Sequence, residues 1–283
     1  MEIISKPDLM TTWANSMVVK GETICLVPTM GYLHDGHLAL IRKGCDIADN
    51  VVVSLFVNPI QFGHGEDLDS YPRNFERDAE LAEESGANVL YAPDVKDVYP
   101  EGFQTTVSVA GLTTGLCGAS RPGHFDGVTT IVAKLFNTVK PNYAVFGQKD
   151  FQQLAVIKKM VFDLNLDTNI IGYPIVREKD GLAMSSRNTY LNKEERIKAL
   201  CLFDSIEFAR KQVGSGNQDA GTLKKDIEYK ILEYGDVLID YISIVNAETL
   251  KECEVVDKDS VLALAVKIGK TRLIDNGYLY KDA

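Results

Sequence analysis

His34 and His37 stand three residues apart around Asp35 and Gly36, as His-Asp-Gly-His, and this is the spacing in the chain that points most directly to chemistry. Two imidazoles can donate hydrogen bonds to a phosphoryl group whose negative charge grows in a transition state. The glycine between them lets backbone and ligand come close. The surrounding run, TICLVPTMGYLHDGHLALI from Thr23 to Ile41, supplies the setting. It opens as an apolar strand, TICLV, breaks at Pro28, turns through Gly31 and Gly36, and resumes with helical spacing in HLALIRKGCDIAD. A helix entered from such a turn offers unpaired N–H groups and a positive dipole end to an anion. Zinc is the competing reading. The metalloprotease pattern, however, sets two histidines one helical turn apart with a glutamate between them. Here Asp35 and Gly36 fill the gap, and His64 and His124 stand alone.

Three further stretches could serve the same chemistry. The apolar run NVVVSLFVNP ends in Asn58-Pro59-Ile60-Gln61-Phe62, which brings polar groups to the carboxyl end of a strand, the end where open α/β sheets bind ligands. The strand NYAVF runs into Gly147-Gln148-Lys149-Asp150, with Gln153 one turn into the helix that follows. Far downstream, REKDGLAMSSRN carries Met184-Ser185-Ser186-Arg187, two hydroxyls and a guanidinium able to close over a triphosphate and brace departing pyrophosphate. Taken singly, Lys149 and Gln153 read first as solvated surface, and only beside the His-bearing turn equally as ligand contacts; the Ser-Ser-Arg stretch also reads as a helix entry capped by Asn192 and Glu195. The segment Arg121-Pro122-Gly123-His124-Phe125-Asp126-Gly127 reads equally as a functional loop or a plain connection.

The elements that must position these residues alternate. Strands are expected at EIIS, TICLV, NVVVSLFVNP, NVLYAP, TTVSV, NYAVF and TNIIGYPIV, with helices after Pro7 and over HLALIRKGCDIAD, NFERDAELAEESGA, VTTIVAKLFNTVKP and FQQLAVIKKMVFDLN. Near-continuous apolar strands between helices indicate a doubly wound α/β domain with a parallel sheet, assigned to residues 1–175. From residue 176 the character changes. A long charged helix from Asn192 to Gln212, a Gly-Ser-Gly turn, a second helix and strands at VLIDYISIV, SVLALAVKI and TRLIDN make a smaller α+β domain, 176–283.

Composition narrows the function classes. Forty acidic residues against 30 basic ones give a net charge of −10, which repels a nucleic-acid backbone where no local basic patch intervenes. The five cysteines are scattered without a Cys-x-x-Cys pair, which fits reduced thiols in a cytoplasm. No stretch approaches the ~20 apolar residues that span a bilayer, and the N-terminus lacks signal-peptide character. A cytoplasmic enzyme with small-molecule substrates is expected, without nucleic acid or membrane partners.

The His-x-Gly-His turn with a distant Ser-rich basic loop resembles the adenylyl-transferring superfamily of nucleotidylyltransferases and class I aminoacyl-tRNA synthetases. PTMGYLHDGHLALI, FVNPIQF, YPR, RPGHFDGV, FGQKDFQQL and REKDGLAMSSRN, in that order, are similar to the pantoate–β-alanine ligase family. That resemblance implies ATP-dependent condensation of (R)-pantoate with β-alanine through a pantoyl adenylate, releasing AMP and pyrophosphate. It also implies a Rossmann-like ATP domain with a C-terminal lid, and a homodimer. Carried onto this chain, ATP would contact Met30, Gly31, Tyr32, Leu33, His34, Asp35, Gly36 and His37, then Gly147, Gln148, Lys149 and Asp150, then Val176, Met184, Ser185, Ser186 and Arg187. Gln61 and Gln153 would hold pantoate, with Gln61 also bordering the β-alanine pocket. His37 would be catalytic, assisted by His34, Lys149 and Arg187. Mg²⁺ would ride on the phosphates, its protein contacts unassigned. Two rivals are a nucleotidylyltransferase acting on a phosphorylated acceptor, which should need more cations where this chain has two glutamines, and a non-enzymatic ATP-binding regulator.

Overall fold

The computed structural model describes residues 1–280; the last three residues of the expected C-terminal domain lie outside the described residues. Residues Met1–Thr113, Arg121–Gln148 and Gln153–Pro174 form one compact unit. A second unit gathers Thr114–Ser120, Lys149–Gln152 and the chain from Ile175 onward.

The first unit alternates strand and helix: β1 (Glu2–Ile4), α1 (Pro7–Lys20), β2 (Ile24–Thr29), α2 (Asp35–Ile47), β3 (Asn50–Leu55), α3 (Phe75–Glu84), β4 (Val89–Tyr91) and α4 (Val95–Val98). After α5 (Leu116–Ser120), which belongs to the second unit, come α6 (His124–Val139), β5 (Tyr143–Gly147), α7 (Phe151–Asp163) and β6 (Asn169–Tyr173). The sheet order is β1-β4-β3-β2-β5-β6, and every pairing is parallel. The doubly wound parallel fold read from the sequence is present. Cys25, Val27, Val51, Val53, Leu90 and Val145 meet Leu33, Leu38 and Ile41 in one core, and the intervening Leu26, Val52 and Ala144 are buried as well, which is why the central strands read as unbroken apolar runs. From β2 the chain winds outward through β3 and β4, then returns to place β5 on the other side of β2. The topological switch point therefore lies between the carboxyl ends of β2 and β5, from which the runs beginning at Met30 and Gln148 leave.

Several boundaries differ from the expectation. β2 does not break at Pro28 but continues to Thr29 in register with β3. The Thr29 carbonyl faces β3, accepting from the Phe56 N–H at 3.0 Å, so position 28 faces β5. The β5 ladder stops at Leu26, and the proline's missing N–H costs no bond. Residues 105–109 form no strand. They are held on α6 by hydroxyls instead: Thr129 Oγ1 donates to the Val107 carbonyl at 2.5 Å, and the Val107 N–H donates to Thr130 Oγ1 at 3.0 Å. Gly36 lies inside the first turn of α2, and α6 starts at His124 rather than Val128.

The second unit carries α8 (Lys193–Lys198), α9 (Cys201–Gly214) and α10 (Ala220–Leu232), then β7 (Leu238–Asn246), β8 (Ser260–Ile268) and β9 (Thr271–Tyr278) in an antiparallel sheet of order β7-β8-β9. Leu202, Ile206 and Ala209 of α9 and Leu223, Ile227 and Ile231 of α10 pack with Ile244, Leu262, Leu264 and Val266 of the sheet. The single helix expected from Asn192 to Gln212 is two. Asn192 caps α8 through the Glu194 and Glu195 N–H groups. α8 buries no side chain, so a turn at residues 199–200 lets α9 start a fresh apolar stripe toward the sheet.

One close approach in the first unit sets a site residue. A Cβ on Gly127, in the first turn of α6, would lie 2.6 Å from the Gln61 N and Cα and from the Ile60 carbonyl oxygen. The helix thus meets the turn Pro59–Gln61 backbone to backbone. Gly127→Ala gains up to ~1 kcal/mol of helix propensity, but the overlap costs about 1–3 kcal/mol in a packed interior. A lower urea midpoint is the expected result, and a raised midpoint would contradict the contact.

Candidate active site

The turn after β2 adopts a backbone that few residues tolerate. Gly31 has φ +85° and Tyr32 φ +51°, both in the left-handed region. Side chains from α3 hold it there. Asp78, 1% exposed, accepts from the Tyr32 N–H at 2.6 Å and the Leu33 N–H at 2.7 Å. Arg77 donates to the Leu33 carbonyl at 2.9 Å and lays its guanidinium over the Tyr32 ring at 5.3 Å. A Cβ on Gly31 would come within 3.1 Å of the Asp78 carboxylate, so both its φ and its space call for glycine. Burial pushes the Asp78 carboxyl above its usual range, against the pull of the two backbone N–H groups and Arg77.

That turn delivers His34 to the N-cap of α2 and His37 to its third position. The rings stack at 4.0 Å between centroids and 27° between planes, and the His34 N–H donates to His37 Nδ1 at 3.4 Å. A ring nitrogen that accepts carries no proton, so neutral His37 holds its proton on Nε2, the nitrogen able to donate to a phosphoryl oxygen. Both rings are half-buried at the positive end of a helix. The arrangement suits an anion whose charge is increasing.

Gln61 is the second element, and a web of buried groups orients it. Asn58, 1% exposed, donates from Nδ2 to Gln61 Oε1 and to the Gly127 carbonyl, each at 3.0 Å. The Tyr99 hydroxyl donates to Asn58 Oδ1 at 2.7 Å, and burial pushes the Tyr99 phenol up, so it stays neutral. With its oxygen engaged, Gln61 turns its NH₂ toward the turn after β2, where Nε2 lies 3.2 Å from Met30 Sδ. His124 Nδ1 donates to the Gln61 carbonyl at 2.8 Å while its Nε2 accepts from Arg121 at 3.0 Å, which fixes the Nδ1–H tautomer. Arg121 also pairs with Glu66 through two bonds of 2.6 Å. Burial would raise the Glu66 carboxyl, but the bonds and charge of Arg121 outweigh it and hold it below its usual range. The 121–127 segment, open between two readings in the sequence, holds the Gln61 turn in place.

The structure brings Met30–His37 and Gln61 together in the first unit. Gly147 closes β5 in that unit and Gln148 follows it, and Gln153 is half-buried in the first turn of α7. Lys149, Asp150, Val176 and Met184–Arg187 belong to the second. There the Met184 N–H donates to the Val176 carbonyl at 3.0 Å, which ties those two together. Ser185 caps a 3-10 turn over Ser186–Tyr190, its Oγ accepting from the Arg187 N–H at 3.3 Å; Ser186 is buried and Arg187 half-buried. Asp78 and Arg77 escaped the sequence reading, and Asn58 entered it only as one of the polar residues that end NVVVSLFVNP. For Asp78 a signal existed, because it shares the buried stripe of α3 with Ala82 four residues on.

Among the described residues, no group of three or more His, Cys, Asp or Glu side chains is arranged to hold a metal ion. A family model described as pantoate-beta-alanine ligase matches residues 2–278. A pantothenate synthetase of Geobacter sulfurreducens is 54% identical over 282 residues, covering 100% of both chains. The crystal structure of pantothenate synthetase from Thermus thermophilus superposes with a TM-score of 0.94 at 42% identity, over 99% of this chain and 100% of that one. The pantoate-beta-alanine ligase of Francisella tularensis, whose structure is a complex with beta-gamma ATP and beta-alanine, gives 0.81 at 33% identity, over 99% and 98%.

The stacked histidines lie at a helix end rather than in the core, so replacing either leaves the fold standing. His34→Ala and His37→Ala should each lose about 1 kcal/mol of stability, as for a helix cap. Each should slow turnover of ATP by about 10²–10³, the loss of one charge-stabilising donor. Stopped-flow turnover at wild-type rates in both variants would remove the pair from the chemistry.

Proposed function

The chain belongs to the pantoate-beta-alanine ligase family, and from that premise we propose how its own residues carry out the ligation of pantoate to β-alanine. The protein is an ATP-dependent ligase that passes through a pantoyl adenylate and releases AMP and pyrophosphate. The carboxylate of pantoate is a poor acyl donor, since its carbonyl is weakly electrophilic and oxide is a poor leaving group. One carboxylate oxygen attacks the α-phosphorus of ATP, a P–O bond forms, and pyrophosphate leaves with the electron pair of the broken P–O bond. The β-alanine nitrogen then attacks the acyl carbon, the C–N bond forms, AMP departs, and the nitrogen loses a proton to solvent or a phosphate oxygen.

The first transition state places growing charge on the α-phosphoryl oxygens. His34 and His37 are proposed to donate there, His37 from Nε2, and their stacking on the N-terminus of α2 is the observation that carries this reading. ATP is proposed to lie along Met30–His37, Gly147–Asp150, Val176 and Met184–Arg187, with Lys149, Ser185, Ser186 and Arg187 neutralising the pyrophosphate. Mg²⁺ is proposed to enter on the ATP phosphates, which suits an ion usually held by one or two carboxylates plus substrate oxygens. Bound there, it would offset phosphate charge. Acyl adenylates hydrolyse readily, and a lid role for residues 176–283 would keep water out until the amine arrives.

Gln61 and Gln153 are proposed to hold pantoate, and Gln61 to border β-alanine. Because Asn58 occupies the Gln61 oxygen, that amide offers a donor to its ligand. Neutral amides bond hydroxyls and orient a carboxylate without the tight grip of a guanidinium, which would lower its nucleophilicity. A phosphorylated acceptor would call for cations here, which argues against the nucleotidylyltransferase alternative. A homodimer working in the cytoplasm is the proposed state; among the described residues no helix is long and apolar enough to cross a membrane.

Pantoate-dependent exchange of labelled pyrophosphate into ATP without β-alanine is the test. Exchange should appear with pantoate alone, and a requirement for β-alanine would sink the two-step reading. An analogue lacking the 2-hydroxyl should lose roughly 10³-fold or more in specificity, because the amide that bonds the hydroxyl is left unpaired. Equal efficiency for the two acids would remove hydroxyl readout from the site. Arg187→Lys keeps charge but loses the planar fork. It should clearly slow exchange with pantoate KM little changed, whereas wild-type rates would return Arg187 to the surface.

A further inference from the structure

Two adjacent residues of β9, Asp275 and Asn276, are 2% and 6% exposed and lie outside every stretch discussed above as contacting substrate. The Asp275 carboxylate takes both arms of Arg177, Nη1 at 2.6 Å and Nη2 at 3.0 Å, and also accepts from the Asn276 N–H at 2.8 Å. Arg177 in turn donates to the Gly181 carbonyl at 2.9 Å and stacks over Phe203 at 4.8 Å. Around that anchor the chain folds back on itself. Arg177 bridges antiparallel to Ala183, the Glu178 N–H donates to the Leu182 carbonyl at 2.8 Å, and the Met184 N–H reaches Val176. Glu178 then accepts from Asn188 Nδ2 at 2.8 Å and from Arg196 at 2.7 Å. The segment Met184–Arg187 is thus fixed before and after by bonds that lead back to one buried carboxylate. Asn276 reaches the other way, and its Nδ2 donates to the Lys149 carbonyl at 2.9 Å.

We propose that Asp275 and Asn276 are positioning residues for ATP, Asp275 setting the Met184–Arg187 segment through Arg177 and Asn276 setting Lys149 through its backbone carbonyl. The inference rests on the reading that Lys149 and Ser185–Arg187 meet the phosphates. A buried ion pair is a poor device for stability alone, since its desolvation offsets most of its attraction. Here the geometry is what it supplies: a planar fork, a carboxylate with three bonds, and a strand that cannot shift register without moving both. Two groups meant for one polyphosphate need fixed spacing, because ~1 Å of slack loses much of the benefit of preorganisation. Neighbouring residues of one strand provide it.

The test reads ATP binding first, by calorimetry without pantoate, so that it does not depend on the reaction. Asn276→Asp keeps the shape but cannot donate to the Lys149 carbonyl, and Asp275→Asn keeps the shape but loses the charge that Arg177 faces. Each should weaken ATP binding about tenfold or more, as expected for one buried polar partner lost, with pantoate KM near wild type. Lys149→Ala with Asn276→Asp should bind ATP about as weakly as Lys149→Ala alone, because both act through one group. Multiplying losses in that double variant, wild-type ATP binding by Asn276→Asp, or wild-type binding by Lys149→Ala would each overturn the proposal. So would a fall in urea midpoint with ATP binding unchanged. Should Asn276→Asp not fold, Asn276→Ala reads the same cycle. Absence of pantoate-dependent exchange in the wild type, with these ATP effects intact, would sink the reaction and leave the positioning role standing.

Discussion

A carboxylate that accepts two consecutive backbone N–H groups holds the turn from which the proposed phosphate chemistry hangs. Asp78 meets Tyr32 and Leu33 where the chain has entered the left-handed region. Such a backbone at a tyrosine costs of order 1 kcal/mol or more. Two charge-assisted bonds within a buried pocket offset it. Burial works against the charge, which is visible in the raised Asp78 carboxyl, and Arg77 beside it works the other way. Without this clamp the residue after Leu33 would have no reason to arrive at an N-cap, and the two imidazoles would not stack on the first turn of α2.

The same logic recurs at Gln61. Its carbonyl is gripped by His124, its side-chain oxygen by Asn58, and Asn58 by Tyr99. Each buried polar group is satisfied by another, as buried groups must be. The result is an amide whose orientation is set before any ligand arrives. Gly127 lets the helix supporting the web approach the turn at backbone distance.

Much of this was legible in the sequence. β2, β3 and β5 announced themselves as apolar runs because both faces are covered, and the His-x-Gly-His turn sits where the strand–turn–helix pattern placed it. What failed did so for identifiable reasons. TTVSV at 105–109 has strand propensity, but β-propensity measures fit to a neighbouring strand, and here threonine hydroxyls on α6 take that place. The charged run from Asn192 conceals a break, since only Ala199 and Leu200 separate the two helices and neither a glycine nor a proline marks the turn there. The bonds of Asn58 to Gly127 and Tyr99, and of Asp78 to Tyr32 and Leu33, join residues far apart in the chain, which no local window contains. Among the acids of FERDAELAEE only the stripe shared with Ala82 marks Asp78 out.

The distribution of charge follows from the order of the two chemical steps. The phosphate-facing candidates are imidazoles, a lysine, an arginine and hydroxyls, groups that stabilise negative charge as it forms and cost little reorganisation when already fixed. The proposed acceptor side carries two amides, Gln61 and Gln153. A guanidinium there would bind a carboxylate more tightly in the ground state than in the transition state, where that charge is being spent on phosphorus, and tighter ground-state binding does not raise a rate. An amide whose oxygen is already committed binds through a neutral donor instead. Such an amide would distinguish a hydroxylated acid from its deoxy analogue by what is left unpaired, and would leave the carboxylate reactive.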